Sequence, residues 1–142
     1  MNWIRSKVEV LVKKEKTCDP FELAKQKNIH IIEWALHHEI KGFYKYDRKN
    51  KYIVINSNLN YLEKRFTCSH ELGHSELHPR VNTPFLREKT LFSSARIEVE
   101  ANMFAVAFLL QECNFSEFRD INQVCSVYGI PKELSYMIKK FY

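Results

Sequence analysis

The amino-acid sequence predicts an α+β fold, a small antiparallel three-stranded sheet packed on a helical core. Three observations lead there. Apolar residues recur at helical spacing near both ends of the chain, β-rich stretches are confined to residues 29–56, and after residue 60 the patterning is helical throughout. The 142 residues suit one domain spanning 1–142 and large enough for its own core. Gly and Pro number three and four, and no linker, repeat or low-complexity tract interrupts the chain.

The elements follow from local signals. Trp3, Ile4, Val8, Leu11 and Val12 fall at helical spacing within residues 2–15. Asp19-Pro20-Phe21-Glu22 starts a short helix, with Asp19 as cap, Pro20 in the first turn and Glu22 placed to reach back. Three β-rich stretches come next, Ile29–Leu36, Phe43–Tyr46 and Tyr52–Asn56, the last two flanking a polar turn and so forming a hairpin. Asn60 and Glu63 make a capping box for a helix that stops at His78, because Pro79 follows. Residues 79–94, with two prolines, read as a long connection of the kind that is often functional. Ser94 is a candidate cap for a helix from about Ala95 to Glu112, apolar on most sides and therefore central. A C-terminal helical pair, about 117–142, closes the chain around Gly129.

Composition narrows the function classes. Apolar residues are 45% and charged residues 27%, the balance of a folded, soluble chain. The longest apolar run, Met103 to Leu110, is far short of the roughly 20 residues that span a membrane, and the charged N-terminus is no signal peptide. A cytoplasmic location with no membrane partner is expected. Cys18, Cys68, Cys113 and Cys125 form no CxxC pair, so neither a disulfide framework nor a cysteine zinc site is expected. The net charge of +5 permits an acidic or nucleic-acid partner but reads first as a solvated basic surface.

The chemistry concentrates in His70-Glu71-Leu72-Gly73-His74. On a helix, i and i+4 lie on one face about 5–6 Å apart, so two imidazoles can hold one Zn²⁺. Glu71 stands beside the pair without occupying a ligand position and can act as general base and acid. A shuffled chain of this composition shows HExxH about two times in a hundred, so the capped helix around the motif has to add weight. A catalytic site needs a third ligand from elsewhere. His78 is unsuited, since it lies about 12 Å along the helix axis from His70. It reads instead as a helix-end residue near the C-terminal dipole, or as part of the cleft rim. Glu98 and Glu100 on the central helix point about 200° apart. Glu98 shares its face with Ala101, Asn102 and Ala105, whose small alanines allow close approach, and geometry slightly favours it.

FTCSHELGHSELH (66–78) followed by IEVEANMFAVAFLL (97–110) resembles the ImmA/IrrE metallopeptidases, a group of zincins, and YIVINSNL (52–59) fits as well. The resemblance covers roughly residues 19–141. It implies a zincin-like domain with two metal helices, metal ligands His70, His74 and Glu98, Glu71 as catalytic residue, and Asn102 as a support for a ligand. His78 joins Asn102 as a second supporting candidate. Two departures touch no ligand. Gln111-Glu112 replaces the family's usual Met-Pro, and Cys68 stands where a small or aliphatic residue is usual.

The resemblance further implies zinc-dependent cleavage of a helix-turn-helix repressor encoded by a phage or mobile element, relieving repression of its operon. An activating partner is compatible with that role. Strand addition of the substrate along an edge strand, with Tyr52–Asn56 as candidate, would hold it extended. Tyr44, Tyr46, Tyr52 and His78 are candidates for stabilising the developing oxyanion. Two other readings exist. One is a zinc-bound adaptor that displaces the repressor without cutting, which has no need of Glu71. The other is a DNA-binding regulator using residues 121–142. That segment contains no arginine, so direct nucleic-acid binding is not expected and a helical pair covering the core is.

Overall fold

The structure, a computed structural model, describes residues 1–82 and 84–142, with Leu86, Arg87 and Glu88 described by backbone alone. Helix α1 (Asn2–Glu15) buries Ile4, Val8 and Leu11, one face at i, i+4, i+7. In α2 (Pro20–Gln26) the Asp19 carboxylate accepts the Phe21 N–H at 2.9 Å, and Pro20 occupies the first turn, where its missing N–H costs nothing. Glu22 turns forward instead of back and accepts from Gln26 Nε2 at 3.2 Å.

The sheet departs from the sequence expectation. It has four strands, β1 (Ile29–Trp34), β2 (Ile40–Asp47), β3 (Asn50–Asn56) and β4 (Pro84–Leu86), in the order β1-β3-β2-β4, and it is mixed. The hairpin is present: β2 and β3 are antiparallel, and Arg48 and Lys49 both take positive φ (50° and 65°), the two-residue turn whose twist matches the strands. β1, however, runs parallel to β3, from Ile29 opposite Lys51 to Trp34 opposite Asn56. Local periodicity marks a strand but not its partner, which is chosen by packing distant in sequence. β3 is therefore internal, so Tyr52–Asn56 is not an edge strand; β1 and β4 are the outer ones.

The stretch 79–94 also proves more structured than a connection. It contains β4 and helix α4 (Arg87–Phe92), while Thr83 within it lies outside the described residues. A three-residue strand opening with Pro is tolerated at a sheet edge but leaves little sequence signal.

Helix α3 (Tyr61–Leu77) starts with both halves of the capping box, Asn60 accepting from the Glu63 N–H at 2.9 Å and Glu63 from the Asn60 N–H at 3.2 Å. It lies on the sheet face that carries Gly42 and Tyr44 of β2 and Ile53 and Ile55 of β3. Helix α5 (Arg96–Leu109) is the buried centre, packed on α3 and on α1. Its first turn begins at Ala95, with no side-chain cap. Ser93, not Ser94, satisfies a nearby donor by accepting the Ala95 N–H at 3.1 Å. Helices α6 (Ile121–Tyr128) and α7 (Ser135–Phe141) bury Val124, Cys125, Met137 and Ile138 and so cover the core. Among the described residues no helix is long and apolar enough to cross a membrane, and the four cysteines are free.

Candidate metal centre

Two small residues set the distance between α3 and α5. A Cβ on Gly73 would stand 3.0 Å from Phe104 Cβ and 3.1 Å from Ala101 Cα, closer than ordinary packing. The helix backbones therefore touch where His70 and His74 of α3 face Glu98 and Asn102 of α5.

Glu98 Oε1 lies 2.7 Å from His74 Nε2 and 3.7 Å from His70 Nε2, and Glu71 Oε1 lies 3.8 Å from His70 Nε2. His70 and Glu71 are 0% exposed and His74 1%. One donor atom each from His70, Glu71 and His74 falls within 4.8 Å of the others. The His74–Glu98 pair is close but not aligned as a hydrogen bond. His70 Nε2, His74 Nε2, Glu98 Oε1 and both Glu71 oxygens are all buried without a hydrogen-bond partner. Buried polar atoms almost always find partners, so a cluster of orphans converging on one point calls for a bound group. Two imidazoles and carboxylates are the donor set of a divalent metal.

The ring orientations carry a second message. Asn102 Nδ2 donates to the Thr90 carbonyl at 3.4 Å, which turns its Oδ1 towards His70 Nδ1 at 2.9 Å. That oxygen can only accept, so His70 carries its proton on Nδ1 and presents the Nε2 lone pair to the centre. His74 Nδ1 meets His78 Nδ1 at 3.0 Å, and His78 Nε2 meets Glu100 Oε1 at 2.8 Å. Glu100 thus turns towards α3 as Glu98 does, one layer farther out. The 200° separation on the helix does not exclude it, because His78 leaves the helix (φ −137°, ψ 58°) and comes to meet it.

Burial raises the Glu71 carboxyl well above its ordinary value, and the neighbouring Glu98 charge adds to this. Burial acts in the same direction on Glu98, but the His70 and His74 rings outweigh it and hold that carboxyl down at about 2. Burial pushes His70 down to about 4, so its ring is neutral at pH 7. The two carboxylates are separated in character, Glu98 anionic and Glu71 proton-seeking, a division expected where acid–base chemistry is performed.

Of the oxyanion candidates, His78 has both ring nitrogens engaged. Tyr44 is buried, donates its hydroxyl to the Pro79 carbonyl and is pushed up to about 12 by burial. Tyr52 stacks on His30, with ring centres 5.2 Å apart, and Tyr46 lies under Arg80. Phe85 of β4, not anticipated from sequence, is buried with its ring centre 4.4 Å from that of His70.

Residues 24–134 match the peptidase family model described as the IrrE N-terminal-like domain. The chain belongs to this family. A protein from Bacillus phage phi105, named "Uncharacterized immunity region protein 2", is 54% identical over 138 residues, 94% of this chain and 87% of that protein. "Metallopeptidase ImmA" of Bacillus subtilis (strain 168) is 27% identical over 114 residues, 80% of this chain and 67% of that protein. This IrrE-like domain is thus a metallopeptidase-family chain with kin in a phage immunity region, and its matched span contains every residue of the centre.

Proposed function

We propose that the protein is a zinc-dependent endopeptidase whose substrate is the helix-turn-helix repressor of a phage or mobile-element immunity region. The observation that carries this is the set of unpartnered buried atoms on His70, His74, Glu98 and Glu71. His70, His74 and Glu98 would hold the zinc. Glu98 is preferred to Glu71 as third ligand because its oxygen approaches both Nε2 atoms, whereas Glu71 approaches that of His70. Zinc when bound lowers the pKa of a water and polarises a carbonyl.

Glu71 performs the proton transfers. Its raised pKa suits a carboxylate that takes a proton from the attacking water and returns it to the leaving amine. Asn102 locks the His70 ring. The substrate enters extended along an outer strand of the sheet, β4 being the one whose Phe85 contacts His70. Similarity to a phage immunity-region protein and to a metallopeptidase supports a peptidase working in that context, and the repressor is the substrate that the family resemblance implies.

The test is to incubate the protein with the helix-turn-helix repressor encoded beside its gene, with zinc or with a chelator, and to compare wild type with Glu71→Gln. A discrete zinc-dependent cut that the variant lacks is expected. Repressor release by both proteins with no cut would replace the peptidase reading with a zinc-bound adaptor.

A further inference from the structure

We propose that Glu100 is a positioning residue for the metal centre, acting through His78 to hold His74 in its ligating tautomer and orientation. The inference rests on the metallopeptidase reading and extends it to residues that touch neither metal nor substrate.

A chain of contacts with a fixed donor–acceptor direction runs from Glu100 through His78 to His74. Glu100 Oε2 accepts from Arg96 Nε at 3.2 Å, and its Oε1 faces His78 Nε2 at 2.8 Å. With a donor from Arg96 on one oxygen and the His78 ring against the other, Glu100 is placed as a carboxylate, which accepts only. His78 must then carry a proton on Nε2. In the neutral ring this leaves Nδ1 as an acceptor, and the 3.0 Å contact makes His74 Nδ1 the donor. His74 Nε2 is left with its lone pair directed at Glu98 and His70. Reversing any one link would place a proton on His74 Nε2, where a metal ligand cannot have one.

Exposure supports the assignment. The His78 and Glu100 side chains are 9% and 10% exposed, so water competes little for these contacts. Arg96 is 87% exposed, and its pairing contributes little. The two histidines are thus supported by different chemistry, His70 by the neutral amide of Asn102 and His74 by a carboxylate acting through an intervening imidazole.

The experiment measures zinc affinity by competition with a chromophoric chelator, alongside long-range ¹H–¹⁵N spectra of the histidine rings in the zinc-loaded protein. Glu100→Leu and His78→Phe should each weaken zinc about 10- to 100-fold. Combining them should cost no more than either alone, because the residues act in series. Glu100→Gln keeps an acceptor oxygen for His78 and should recover most of the affinity. Arg96→Ala should change it less than about 3-fold. In wild type, His78 should appear as the Nε2–H tautomer, and Glu100→Leu should abolish that preference. A zinc affinity unchanged in folded Glu100→Leu, additive losses in the double variant, or an Nδ1–H His78 in wild type would each overturn the proposal while leaving the peptidase reading intact. The wild-type spectrum decides even if a variant fails to fold. A wild type that binds no zinc would overturn both.

Discussion

Two buried polar clusters in the structure differ in how far their atoms are satisfied. Asn56, at the end of β3, is 0% exposed, and its side chain is saturated. Its Nδ2 donates to the carbonyls of Leu36, His37 and Ile40 at 3.0–3.4 Å, and its Oδ1 accepts from Leu36 and Asn58. Between α3 and α5, His70, Glu71, His74 and Glu98 are about as deeply buried, yet the atoms they turn towards one another have no partner. The first cluster holds the loop between β1 and β2 in place. The second leaves buried polar atoms unpartnered, which costs stability unless a bound group satisfies them.

The contrast is broken most strongly at Glu71. Glu71→Gln should reduce repressor cleavage about 10²- to 10⁴-fold. The metal-free variant should melt no lower than wild type, since it exchanges a buried ionisable carboxyl that makes no hydrogen bond for a neutral amide of the same shape. Cleavage rates and melting curves on the same preparations check both halves, and a large loss of stability would show that Glu71 has a structural partner. Asn56→Ala should do the opposite. It leaves carbonyls without donors and should lose about 2–3 kcal/mol in denaturant titration, while zinc affinity of the folded fraction stays at the wild-type value.

Gly73 tests the spacing that brings the second cluster together. Replacing a mid-helix Gly by Ala ordinarily gains about 0.5–1 kcal/mol. Here the added Cβ meets Ala101 Cα at 3.1 Å, and helix backbone cannot yield as a side-chain tip can. Gly73→Ala should therefore destabilise by about 1–3 kcal/mol and also weaken zinc. A stabilised variant would mean that the two helices separate freely.

The smallest effect expected is on pH dependence in the metal-free protein. Burial lowers His70 from 6.5 to about 4, so between those values the unfolded chain binds more protons and stability rises with pH. Burial raises Glu71, so above 4.5 the folded chain binds more protons and stability falls with pH. The two slopes oppose each other in wild type. Glu71→Gln removes the second, and its stability should climb more steeply from pH 4 to 6.5. Equal slopes, by denaturant midpoint, would indicate that Glu71 ionises as freely as in water.

Local signals were enough for most helices. The Asp19 and Asn60 caps, the apolar stripe of α1 and the all-apolar α5 are written in neighbouring residues, because helix contacts close within four positions. HExxH is legible for the same reason, since i and i+4 meet on one helix face wherever that helix packs. The parallel partner of β1, the short edge strand β4 and the helix α4 after it were not legible. Strand pairing joins residues far apart in the chain, and three residues carry too little periodicity to be read. The same limit applies within the centre. Glu98 could be placed on a face of α5, but the link from Glu100 to His74 depends on where α3 ends and how His78 leaves it. Local sequence determined the helices and the ligand-bearing motif, through interactions that span one turn. Tertiary structure decided how closely α3 and α5 approach, which buried atoms stay unpartnered and which carboxylate faces which histidine, because each depends on packing between segments 22 to 32 residues apart.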